Sequence, residues 1–191
     1  MPLKLVAAPA QEPISLDEAL AHLRLEGDEY AGEQSYVSAL LVAARRWCEG
    51  FQNRAYVTQT WDLVLDRFPG GAIRIPLPPL QSVAYVKYKD PSGSEQTLDP
   101  AGYTVDAAGE PGRIVPAYGC SWPETRDEIG AVTVRFTAGY GAPAAVPAEI
   151  KQAILLKVAD LYEHRGGDEG VDEKIQSAVE ALLAPERIVP V

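Results

Sequence analysis

Two histidines, two cysteines and scattered carboxylates are the residues of this chain that could do chemistry. His22 and His164 each fall in a helical pattern and belong to no cluster with metal-ligand spacing, so they read as surface or cap residues. Cys120 and His164 could in principle form a nucleophile and its base, but no local pattern supports the pair, and a cysteine beside Gly119 reads as an incidental loop residue. Asp99, Asp106 and Glu110 could act as paired acids, yet in so acidic a chain the same placement arises from turns and solvation. Gly139-Tyr140-Gly141 lacks the further Gly and the Lys of a nucleotide loop and runs on to Pro143 and Pro147, so it reads as a connection from sheet back to helix. Trp47 and Trp61 lie on apolar stripes and are expected in the core. Trp122, in Gly119-Cys120-Ser121-Trp122-Pro123, is the tryptophan expected to be free to touch a partner. No catalytic, cofactor-binding or metal-binding residue is expected, which shifts the weight from an enzyme to an interaction or assembly protein.

The elements that would carry such a role are legible from spacing. Ser15-Leu16-Asp17-Glu18 has the form of a capping box, and Leu16, Ala19, Leu20 and Leu23 follow at helical intervals, so a short helix is predicted from Leu16 to Leu23. Val37, Leu40, Leu41, Ala44, Trp47, Cys48 and Phe51 make a stripe of about four turns, with Glu33, Arg45, Arg46 and Glu49 expected mostly on the other side and a stop at Gly50 or Asn53. After Arg54 the period changes: Val57, Trp61, Leu63 and Leu65 alternate with Thr58, Thr60, Asp62 and Asp66, as in a strand. Ala72–Pro76, Val83–Lys89, Tyr103–Asp106, Arg113–Pro116 and Ala131–Ala138 are further β-rich runs between Gly- and Pro-containing turns, giving an expected antiparallel sheet or sandwich of about six strands. Helix returns at Val146-Pro147-Ala148-Glu149, with Ile150, Ile154, Leu155, Val158, Leu161 and Tyr162 on its buried face and Gly166-Gly167 at its end. Val171, Ile175, Ala178, Val179 and Leu182 predict a last short helix.

The predicted class is therefore α+β: a helical bundle of N- and C-terminal helices with a small antiparallel β lobe inserted. The expected divisions are 1–54 for the first helices, 55–143 for the lobe, 144–183 for the last helices and 184–191 for a tail. That tail, Pro185-Glu186-Arg187-Ile188-Val189-Pro190-Val191, is hydrophobic, has no obvious internal partner and is a candidate for docking on a neighbour. At 191 residues the chain can bury a core unaided. It has no apolar run of spanning length and no convincing secretion signal, so a soluble protein without membrane contact is expected. The net charge of −10 has no basic tract within it, which argues against a nucleic-acid-binding face and suits a surface past which DNA slides. Two unpatterned cysteines suggest reduced thiols.

The order of several segments resembles the head-to-tail connector (adaptor) proteins of tailed bacteriophages. The resemblance is carried by Ile14-Ser15-Leu16-Asp17-Glu18-Ala19 with His22-Leu23-Arg24, by Ala43-Ala44-Arg45-Arg46-Trp47-Cys48-Glu49, and by Thr58-Gln59-Thr60-Trp61 with Leu65-Asp66-Arg67-Phe68-Pro69. Ile75–Val83, Tyr88-Lys89-Asp90, Tyr103–Asp106, Phe136–Gly141 and Val146–Ile154 continue it in register, over about residues 13 to 183. It implies a structural virion protein that assembles in the bacterial host cytoplasm and sits at the head–tail junction. There it forms a ring, usually of about twelve copies, below the portal protein after DNA packaging. Such a ring extends the DNA channel without sequence-specific binding and offers a docking surface to a tail-completion or stopper protein. A prophage or gene transfer agent is as compatible a source as an active phage. The reading from another class is a small hydrolase or glycan-binding module with a site in the β lobe, the latter through Trp122.

Overall fold

The computed structural model describes residues 2–25, 27–166 and 172–189. Gly167, Val171, Pro190 and Val191, named above, lie outside the described residues. The chain is an α+β fold that divides into two compact units, one of the residues up to Pro9 with Thr58–Tyr140, the other of Ala10–Val57 with Gly141 onward.

The first unit is built of eight antiparallel strands among the described residues. Five form one sheet in the order β1 (Leu3–Ala7), β2 (Gln59–Leu65), β8 (Val132–Ala138), β4 (Leu80–Lys89) and β5 (Glu95–Thr97). Three form a second in the order β3 (Ile73–Ile75), β7 (Gly112–Pro116) and β6 (Tyr103–Asp106). Strand β8 is central, and its side chains alternate strictly between buried and half-buried. Its buried set, Val132, Val134, Phe136 and Ala138, joins Leu63 and Val86 in one apolar face, the outcome that period-two alternation dictates. On the other face Arg135 lies opposite Asp62 and donates two hydrogen bonds to its carboxylate, each 2.8 Å. Gly112 marks a close approach of backbone to side chain, since a Cβ there would fall 2.7 Å from the Leu80 side chain.

Two strands were not expected. Leu3–Ala7, placed above with the helices, pairs with β2 as an edge strand, and Glu95–Thr97 pairs with the end of β4. The expected six strands are thus eight, in two sheets.

The second unit holds four α-helices among the described residues: α1 (Leu16–Leu23), α2 (Gln34–Gln52), α3 (Ala148–Glu163) and α4 (Glu173–Leu183). The Ser15 capping box forms as its sequence requires, with Glu18 N–H donating to Ser15 Oγ at 3.2 Å and Ser15 N–H donating to Glu18 at 2.8 Å. Helix α3 packs on α2 and α4, and α1 on α2 and α3. Val37, Leu41, Ala44 and Cys48 of α2, Ile150, Ile154 and Val158 of α3, and Val179 and Leu183 of α4 are buried between them. Trp47 is only half-buried, as is Trp61 in the sheet unit, where the sequence put both in the core. Trp47 stacks on Phe51, and Lys157 Nζ lies 5.0 Å over its ring, an arrangement favoured by the negative face of an indole.

Helix α2 also carries a buried polar stripe that its charges had suggested was exposed. Arg45 is 4% exposed. Its Nε donates to Glu12 at 2.6 Å, its Nη2 to the other Glu12 oxygen at 3.2 Å, and its Nη1 to Glu49 at 2.6 Å. Glu49 also accepts the backbone N–H of the fully buried Tyr56 at 2.9 Å, and the Tyr56 hydroxyl donates to Gln52 at 2.8 Å. Residues 45, 49 and 52 recur at helical spacing, so one face of α2 ties down the segment before α1 and the segment after α2.

Arg45→Ala leaves two partly buried carboxylates without their cation and should destabilise the helical unit by about 3–5 kcal/mol, read from urea unfolding midpoints. Combining Arg45→Met with Glu12→Gln and Glu49→Gln removes the orphaned charges and should recover most of that loss. If the single and triple variants unfold together, the network does not hold the unit.

Candidate interaction surfaces

Trp122 was expected to face a partner, and the structure gives it internal work. Its ring stacks on Phe68 with centroids 4.9 Å apart and planes 5° apart, and Phe68 meets Tyr88 edge-on at 5.7 Å. The indole N–H donates to the Gly71 carbonyl at 2.8 Å. The residue is half-buried and pins the long loop between β7 and β8 to the β2–β3 connection. A second pin is the Gly130 N–H, which donates to Asp66 at 2.8 Å. Two neighbours on this loop stand out into solvent instead: Tyr118 is fully exposed and Ile129 is 92% exposed. Sequence reading missed both because an irregular loop has no period from which burial can be read. Tyr118 precedes Gly119, whose φ of +78° fits a turn that glycine adopts freely.

The C-terminal tail, expected to lack an internal partner, is docked on its own unit as far as Ile188. Gln52 Nε2 donates to the Leu183 carbonyl at 2.7 Å, Arg54 Nε to the Glu186 carbonyl at 2.5 Å and Asn53 Nδ2 to the Ile188 carbonyl at 2.8 Å, while the Ile188 N–H donates to the Gln52 carbonyl at 2.9 Å. Ala184–Glu186, which includes Pro185, form a short 3-10 turn, and the Arg187 guanidinium sits 4.5 Å over the Phe51 ring. Val189 is 68% exposed. Polar side chains at the end of α2 satisfy the tail backbone, so the hydrophobic search for a partner overlooked them. Asn53 serves twice, because at φ 55° it also closes α2 in the left-handed conformation that asparagine tolerates.

Several of the residues with chemistry in them are engaged in structure. Asp99 accepts the Ala101 N–H and caps a 3-10 turn. Asp106 accepts from Arg113, Ala108 and Gly109, and the Arg113 hydrogen bond foremost holds its pKa below the usual carboxylate value. Hydrogen bonds from Ser92 and Gln96 bring Asp90 down to about 2, and Lys89 lowers Glu128. A hydrolase would need a carboxyl displaced upward in a pocket, and these three move the other way. His22 is exposed in the last turn of α1. His164 caps α3, its Nδ1 2.8 Å from the Asp160 carbonyl oxygen. Asp160 is buried and also accepts from Lys157 at 2.8 Å. Both cysteines are free; burial pushes the Cys48 thiol up to about 12, and Cys120 is exposed. Among the described residues no three His, Cys, Asp or Glu side chains gather as a metal cluster, and no helix is long and apolar enough to cross a membrane.

No protein-family model matches this chain, and no curated protein matches it. Solved structures do. The chain is 29% identical to a chain in the neck of an empty gene transfer agent (GTA) particle computed with C6 symmetry, covering 100% of this chain and 97% of that one with a TM-score of 0.82. It is 28% identical to chains in the virion of a native GTA particle (TM-score 0.77) and in the neck of a native GTA particle computed with C12 symmetry (TM-score 0.71), with the same coverage. The likeness spans both units.

The double role of Asn53 separates two variants. Asn53→Gly keeps the left-handed cap and loses the bond to Ile188, costing about 1 kcal/mol. Asn53→Ala adds the left-handed penalty, a further cost of about 1–2 kcal/mol. Both should speed hydrogen exchange at the Ile188 amide, which remains slow if the tail is not docked through this residue.

Proposed function

We propose that this chain is a structural virion protein of the particle neck, a head-to-tail connector that forms a ring below the portal protein after DNA packaging. In that place it extends the DNA channel and presents the surface to which a tail-completion or stopper protein attaches. The observation that carries this reading is the full-length similarity to GTA neck chains, with 97% of the neighbour covered and a TM-score of 0.82. Were the likeness confined to the sheet unit, it would speak only for a shared module. The sixfold and twelvefold symmetries of those neck structures support assembly of this chain as a ring of its own copies.

The distribution of charge agrees with passage of DNA. The helical unit holds nine basic against seventeen acidic residues, and the sheet unit eight against ten. Such a surface repels phosphates rather than retaining them. In this reading the four helices are the ring-building bundle and the sheet unit is the lobe that decorates it. The loop around Trp122 and the tail Pro185–Val191 are the proposed contact segments. Because residues up to Ile188 are already held by α2, Val189 and the residues after it are the part of the tail assigned to a neighbour or the portal. The particle is assembled in the host cytoplasm, and a gene transfer agent or prophage origin fits the similar chains.

Electron microscopy of particles from the producing strain with this reading frame disrupted tests the reading. Separate tails and tailless heads, many emptied of DNA, are expected. Normal tailed particles would contradict it.

A further inference from the structure

The sheet unit neutralises its own cations with three omissions, Lys4 on the edge strand β1, Arg67 and Arg74. Of its eight basic residues, five are paired with carboxylates: Lys87 with Glu95 (2.7 Å), Lys89 with Glu128, Arg113 with Asp106 (2.9 Å), Arg126 with Glu128 (3.2 Å) and Arg135 with Asp62 (2.8 Å). Arg67 and Arg74 are exposed and form no hydrogen bond or ion pair among the described residues. Both line the same pocket, of about 250 Å³, whose other walls are Leu65, Pro69, Ala72 and Ile73. Arg74 also lies directly across the β3–β7 ladder from Arg113, whose carboxylate is Asp106. Like charges facing each other across a ladder are unfavourable, so the free chain leaves Arg74 in want of an anion that no described residue supplies. The Asp66 carboxylate next to Arg67 holds the Gly130 N–H, which keeps the exposed Ile129 beside this connection.

Four apolar residues and two arginines lining one pocket suit a carboxylate carried beside an apolar side chain, which is a peptide feature. A nucleic-acid backbone uses clustered cations and gains nothing from leucine, proline and isoleucine. The opposite charge is present in the same sequence, since the helical unit carries seventeen acids against nine bases. We propose that the Arg67–Arg74 pocket of one copy receives an acidic, apolar-flanked segment from the helical unit of a second copy. The arrangement of copies rests on the ring reading above: a contact between two different surfaces of one chain is head-to-tail, and such contacts close into rings when the rotation permits. Bidentate guanidinium–carboxylate pairing would give the contact its register.

The test keeps the charge and adds a reactive amine. A chain carrying Arg67→Lys and Arg74→Lys is treated with a water-soluble carbodiimide in a freshly cleared lysate of the producing strain, where copies are scored wherever they meet. The reagent activates a carboxylate, the lysine amine displaces it to form an amide, and the carbodiimide departs as its urea, so only groups in direct contact are joined. A linked dimer absent from the wild type is expected, with the amide mapped by mass spectrometry from position 67 or 74 to an Asp or Glu of the helical unit. No link from either position, or a link only to another protein, overturns the proposal. So does binding of a short DNA duplex at low salt that Arg67→Ala with Arg74→Ala abolishes, which would assign the pocket to phosphates. Failure of the connector reading shows separately, as normal tailed particles when the frame is disrupted.

Discussion

The buried guanidinium of Arg45 is the constraint around which the helical unit is organised. A charge taken out of water must be matched by opposite charge and by hydrogen bonds, and here Glu12 and Glu49 supply both. Each partner then fixes something else. Glu12 belongs to the segment that precedes α1, and Glu49 holds the backbone of Tyr56 as the chain leaves α2. One turn further, Gln52 joins the Tyr56 hydroxyl to the end of α4. The segments 10–15 and 53–57 and the 3-10 turn with its continuation to Ile188 are thereby positioned by one face of α2 and the two residues that follow it, where apolar packing alone would leave their backbone groups unmatched.

The sheet unit solves a different problem. A central strand with both neighbours antiparallel gives it one apolar face and one face crossed by the Asp62–Arg135 pair, which is a rigid support that needs no contribution from the loops. The loops are then at liberty to carry contacts, as surface connections on rigid scaffolds commonly do. At one end of the sheet the 117–130 loop is held by Trp122 and Gly130 while Tyr118 and Ile129 project. The unpaired Arg67 and Arg74 share that end through the β2–β3 connection. A chain that matches neck proteins over its whole length thus shows a helical unit pinned through α2 and a sheet unit in which Arg67 and Arg74 face outward.

Much of this was legible in the sequence where periodicity or capping chemistry decides the outcome. The capping box placed α1 to the residue, and alternation found Tyr103–Asp106 and the body of β2, β4 and β8. The class, α+β, followed from helices at both ends and strands between. What escaped depends on partners distant in sequence. Leu3–Ala7 is a strand because Gln59–Leu65 offers it a ladder, which five residues between two prolines do not announce. Arg45 and Glu49 look like solvent-facing charges until Glu12 is brought to them. The tail seemed partnerless because its partners are an asparagine, an arginine and a glutamine binding backbone carbonyls rather than an apolar groove. Trp122 sits in a loop by composition, and only the position of Phe68 and the Gly71 carbonyl reveals that its ring and N–H are taken. Resemblance, by contrast, reached the neck of a phage-like particle from segment order alone, which no single motif could have done.

If this chain is a ring-forming component of the neck, a single-particle reconstruction of the neck of particles from the producing strain will contain it. The expected result is a ring of density below the portal into which both units of this chain fit, repeated around the channel axis. A neck whose density below the portal is fully accounted for by other chains would contradict it.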